Sequence, residues 1–149
     1  MAAAAELAPP PEWTGGADGA TVLLVDDEAA TRALAAERLR ELGFQVVEAA
    51  DGPTALRLLD NGLRVDLLLT DVGLPNGMNG RQVAEAAREY RPRLPVLFIT
   101  GYVSGELPLG VEVVGKPFAL DELARRVQAL LTAERENRSR MGVPTHWNN

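Results

Sequence analysis

The sequence contains no cysteine and a single histidine, His146. Disulfides, thiol nucleophiles and thiolate metal sites are therefore excluded, which agrees with a reducing compartment. One histidine near the C-terminus argues against a histidine-based metal centre or triad. No apolar run approaches the ~20 residues that a membrane-spanning helix needs. The opening stretch MAAAAELAPPPEWTGGADGA lacks the basic start and apolar core of a secretory signal. These absences predict a cytoplasmic protein without a membrane partner. Basic excess is missing too: 15 Lys and Arg stand against 21 Asp and Glu, for a net charge of −6. Nucleic-acid binding normally shows the opposite balance. The arginines are interleaved with acids, as on a solvated surface.

What the chain does have is alternation. Residues 1–20, rich in Ala, Pro and Gly, predict a disordered tail, and 134–149 a second one once apolar periodicity is lost. Both tryptophans, Trp13 and Trp147, fall in these tails. Between them, 21–133 reads as one α/β domain. Strands are predicted at 21–25, 44–49, 65–70, 94–100 and 111–114. Helices are predicted at 28–42, 52–62, 80–91 and 119–133, from apolar residues at helical spacing such as Leu120, Leu123, Val127, Leu130 and Leu131. Strands separated by helices imply βαβ units and a parallel sheet. The almost purely apolar first, third and fourth strands predict cover on both faces, hence a doubly wound five-stranded sheet. Ligands of such sheets bind at the carboxyl ends of the strands. Residues 101–110, GYVSGELPLG, break the rhythm, so the fourth crossover helix is expected to be shortened, irregular or missing.

The polar residues fall at those carboxyl ends. VLLV runs into Asp26, Asp27 and Glu28; LLLT runs into Asp71; LFI runs into Thr100; VEVVG runs into Lys116 and Pro117. In a parallel sheet these ends share one edge. Carboxylates gathered there repel one another unless a cation joins them. Oxygen-only donors suit a hard ion such as Mg²⁺, which takes one or two carboxylates plus water and phosphate oxygens. A carboxylate in such a site can attack phosphorus, and a lysine beside it can neutralise a transferring phosphoryl group. Taken singly, each residue has a plain alternative: Asp26 or Asp27 as a helix cap, Asp71 as a turn former, Thr100 as an ordinary strand residue, Lys116 as a solvated lysine.

With these residues placed, the stretch from Val22 to Leu131 resembles the receiver domain of bacterial two-component response regulators. The motifs LLVDDE, LLLTDVGLP, FITG and GKPF occur in that family's order and spacing. The finer pattern resembles receivers fused to hybrid histidine kinases; the chain is then either a stand-alone version, which the starting Met and the unrelated tail favour, or an excised piece. The resemblance implies a flavodoxin-like sheet of strand order 2-1-3-4-5. It implies that Asp71 is the phosphoacceptor, served by a sensor histidine kinase or histidine phosphotransfer protein. It implies Mg²⁺ held by Asp26, Asp27, Asp71 and the backbone carbonyl of Gly73. Thr100 and Lys116 would meet the phosphoryl group, and Pro117 would follow a cis peptide bond.

One position departs from the pattern. Receivers usually carry Tyr or Phe three residues before the lysine, as a switch coupled to the threonine; here Val113 stands there, with Tyr102 as a substitute. The sequence thus predicts a phosphorylation-controlled switch, monomeric or weakly dimeric, whose unknown target is reached by protein contact or phosphate shuttling. The catalysis expected is self-directed, on Asp71. The alternative is a degenerate receiver acting as a constitutive binding module. A phosphohydrolase is disfavoured because no second acid follows two residues after Asp71.

Overall fold

A computed structural model describes residues 19–101 and 112–140, the side chains of 137–140 excepted. The order of elements is β1 (Thr21–Val25), α1 (Ala29–Glu41), β2 (Gln45–Ala49), α2 (Gly52–Asp60), β3 (Leu67–Asp71), α3 (Gly80–Tyr90), β4 (Val96–Thr100), β5 (Glu112–Gly115) and α4 (Leu120–Arg140). The strands form one sheet in the order β2-β1-β3-β4-β5, and every pairing is parallel.

Residue alternation along the strands divides the core in two. Val22, Leu24, Leu67, Leu69, Leu97 and Ile99 point to one face, where Ala35, Ala36 and Leu39 of α1 and Leu123, Val127 and Leu131 of α4 cover them. Leu23, Val25, Leu68, Val96 and Phe98 point to the other, beneath Ala55 and Leu59 of α2 and Val83, Ala84 and Ala87 of α3. Two-sided cover is why β3 and β4 are buried at every position. The helices start and stop on local signals. Asp51 and Asn79 cap α2 and α3, the latter through a reciprocal capping box with Gln82. Gly43, at φ 99°, follows α1 and turns the chain into β2.

One boundary differs from the sequence reading by more than two residues. The closing helix does not stop at 133 but continues to Arg140. Apolar periodicity marks a face that touches the sheet, and the sequence of 134–140 carries none. Favourable helix formers carry the element on, and Glu134 pairs with Arg91 at 3.9 Å. Residues 1–18 and 141–149 of the expected tails, 102–110 of the expected irregular crossover, and Trp13, Tyr102, His146 and Trp147 lie outside the described residues. Among the described residues, no helix is long and apolar enough to cross a membrane.

Register positions the polar residues. Val25 lies level with Thr70, so Asp26 comes level with Asp71 one step further. Asp71 lies level with Ile99, and Thr100 with Gly115, just before Lys116.

Candidate functional site

Carboxylate oxygens of Asp26, Asp27 and Asp71 lie within 4.8 Å of one another at this edge. Asp26 is buried, at 1% exposure, and Asp71 nearly so, while Asp27 is exposed. The backbone ties the first two down. The Asp26 amide donates to the Ala49 carbonyl at 3.1 Å, and Arg32 Nη1 donates to the Asp26 carbonyl at 2.8 Å. Asp26 Oδ1 accepts from the Glu28 amide at 2.9 Å. Asp71 Oδ1 accepts from the Gly73 amide at 3.0 Å. Neither Asp26 nor Asp27 caps α1: the cap position is Glu28, whose side chain makes no capping bond.

Glu28 turns instead to Lys116. The ammonium donates to Glu28 Oε1 and to Asp71 Oδ2, both at 2.9 Å, and lies 3.4 Å from Asp26 Oδ2. Burial alone would lower the Lys116 pKa, but the hydrogen bonds and charges of Asp71, Glu28 and Asp26 outweigh it and push the group above the ordinary lysine range. The same contact holds the Glu28 carboxyl below its usual range. Asp26 moves the other way. Burial raises its pKa, against the pull of the Glu28 amide and Lys116. Its Oδ2 accepts no hydrogen bond from the described residues, and the 3.4 Å contact with Lys116 is ion pairing at arm's length. A buried carboxylate oxygen left this way disfavours its own charge, and two more carboxylates beside it add repulsion. A small divalent cation relieves both, so the donor set fits Mg²⁺.

Thr100 ends β4, is buried, and accepts the Lys116 amide on its carbonyl at 2.8 Å. The Lys116–Pro117 peptide is cis. Gly73 is exposed at the mouth of the cluster. Val113 is half-buried against the core beneath α2 and α3, and its carbonyl accepts from Arg126 at 3.1 Å.

Three contributors were not singled out from sequence. Glu28 was visible as the third acid of DDE, but its partner lies 88 residues away. Arg32 follows it by one helical turn. Gly80, first residue of α3, packs so closely that a Cβ there would lie 2.1 Å from the Asp71 carbonyl oxygen. A glycine at a helix start was the signal, and only tertiary packing reveals its use. Beside Lys116 a groove of about 480 Å³ opens, lined by Thr31, Leu34, Pro117, Phe118 and Leu120 among others.

Residues 22–128 match the family model of the response regulator receiver domain. The chain belongs to that family. It is 35% identical over 119 residues to the sensor kinase CckA of Brucella abortus, a match covering 75% of this chain and 12% of that kinase's length. A solved receiver domain of the hybrid histidine kinase CckA is 41% identical, with a TM-score of 0.65 over 74% of this chain and 98% of that one. The receiver domain of the sensor histidine kinase PA1611 of Pseudomonas aeruginosa, solved with a magnesium ion in its active-site cleft, is 30% identical, with a TM-score of 0.67 over 76% of this chain and 98% of that one. Receiver domains are regulatory switches of two-component signalling that act with histidine kinases or phosphotransfer proteins, and the hybrid-kinase pattern seen in the sequence agrees with these relatives.

Proposed function

We propose that Asp71 is the phosphoacceptor of a signalling switch in a phosphorelay, and that the receiver unit runs from Thr21 through α4. The observation that carries this reading is the pairing of the nearly buried Asp71 Oδ2 with Lys116, inside a cluster of three carboxylates at the sheet edge. One carboxylate oxygen of Asp71 forms the new O–P bond as the N–P bond of a partner's phosphohistidine breaks; the imidazole nitrogen leaves with the bonding pair. Lys116 is then placed to pair with an oxygen of the attached phosphoryl group, and Thr100 stands at the neighbouring strand end. Asp26, Asp27, Asp71 and the Gly73 carbonyl would hold Mg²⁺. Bound there, the ion supplies charge neutralisation for the phosphoryl oxygens. Hydrolysis of the acyl phosphate resets the switch. Output passes to another protein by contact or by onward phosphoryl transfer.

Intact-mass measurement after incubation with acetyl phosphate tests this reading. A single phosphoryl adduct is expected with MgCl₂, absent with EDTA and absent in Asp71→Asn. Absence of any adduct, with acetyl phosphate and with a phosphorylated kinase, would favour a constitutive binding module instead.

A further inference from the structure

Asn76 and Gly77, in the loop between Asp71 and α3, have consecutive positive φ values, 68° and 83°. Glycine takes that conformation freely, and asparagine is among the few other residues that tolerate it. The side chain at 76 has a use. Its Nδ2 donates to Asp51 Oδ2 at 2.7 Å, 25 residues earlier in the chain. Asp51 is thereby divided: Oδ1 caps α2 by accepting from the Thr54 amide at 2.8 Å, and Oδ2 holds the loop. Two residues further on, Met78 lies over Gly52, where a Cβ would come within 2.8 Å of its Cγ and Sδ. The corner at 51–52 thus grips the loop twice, once by a polar contact and once by an apolar one. The same loop carries Gly73, whose amide already bonds Asp71 Oδ1, and ends at the Asn79 cap of α3.

We infer that Asp51 and Asn76 are positioning residues for the divalent-cation site. Their bond fixes the loop between Asp71 and α3, so the backbone at Gly73 is held at the mouth of the carboxylate cluster. Neither side chain touches the ion; both act through the loop, as outer partners of metal ligands do. This inference rests on the cation reading above.

Calorimetric titration of the full chain with MgCl₂, paired with thermal unfolding in EDTA, tests it. Asn76→Gly keeps the backbone conformation and the Asp51 cap but removes the donor. Its Kd for Mg²⁺ is expected to weaken about 10-fold, the lower end for outer partners of ligands, with the unfolding temperature in EDTA unchanged. Asn76→Asp sets two carboxylates against each other and should bind more weakly still. Adding Asp51→Asn to Asn76→Asp exchanges donor and acceptor and should return Kd toward the wild-type value. Unchanged Kd in both single variants would overturn the inference, as would a double variant as weak as Asn76→Asp. If the wild-type chain bound no Mg²⁺, the cation reading itself would fall.

Discussion

Lys116 Nζ lies 2.9 Å from Asp71 Oδ2, bridging two strand ends that are 45 residues apart in sequence. The ammonium is the site's own cation. It stands where charge must be neutralised, and it also repels any second cation brought to the cluster. Lys116→Met is therefore expected to have opposite effects on two observables. Mg²⁺ affinity should rise several-fold, since a unit charge within a few ångströms is removed. Adduct formation from acetyl phosphate should fall on the order of 10²-fold, the cost of losing one preorganised donor to developing charge. Calorimetry and mass spectrometry read the two separately, and a fall in both would mean that the lysine only supports the fold.

Asp26 gives the pH prediction. Burial raises its folded pKa above the ordinary carboxyl value of 3.8. A raised folded pKa means that the folded state binds the proton more tightly than the unfolded chain does. Its favourable contribution is present below pH 3.8 and is lost as pH rises through the folded value. At neutral pH without a divalent ion, the charged Asp26 costs stability. Asp26→Asn should then be more stable than wild type in EDTA, with the difference growing as pH rises out of the acid range. Added MgCl₂ should stabilise wild type and leave the variant nearly unmoved. Urea unfolding at several pH values checks both statements.

Gly80 is predicted to be irreplaceable on steric grounds. A Cβ 2.1 Å from the Asp71 carbonyl oxygen and 2.9 Å from its carbon meets backbone on both counts. Either α3 or the end of β3 must shift. Gly80→Ala should destabilise by about 1–3 kcal/mol or more, although alanine is normally the better helix former. Because the displaced atom belongs to the proposed acceptor, phosphorylation should slow as well. Chemical denaturation and adduct kinetics on the same preparation would show whether the two losses go together.

Leu34 on α1 is 54% exposed and lines the groove beside Lys116. An exposed apolar side chain lining the groove beside Lys116, the ion-pair partner of Asp71, suits contact with a phosphohistidine-bearing partner. Leu34→Ala should leave stability within ~0.5 kcal/mol and leave labelling by acetyl phosphate unchanged. Transfer from a phosphorylated kinase or phosphotransfer protein should slow about fivefold or more, the effect of losing a contact worth ~1 kcal/mol. Equal loss with both donors would place Leu34 in the fold rather than the interface.

Much of this was legible in the chain because a doubly wound sheet leaves simple marks. The runs Val22–Val25, Leu67–Leu69 and Val96–Ile99 are apolar at every position because both faces are covered. The residues that follow them must meet at one edge, which is why Asp26, Asp71, Thr100 and Lys116 could be read as neighbours. What stayed hidden depends on side-chain reach across the fold. The Glu28–Lys116, Asp51–Asn76 and Gly80–Asp71 contacts follow no local period. The extension of α4 to Arg140 was hidden for another reason: residues 134–140 carry no apolar stripe.

Asp71, and no other carboxylate of the cluster, is the residue proposed to accept the phosphoryl group. Borohydride reduction tests it most directly, because it cleaves an acyl phosphate and leaves homoserine where the phosphorylated aspartate stood. Peptide mapping after labelling with acetyl phosphate and MgCl₂ should find homoserine at position 71 alone. Homoserine at position 26 or 27, or none in a sample whose intact mass shows the adduct, would rule out Asp71 as the acceptor.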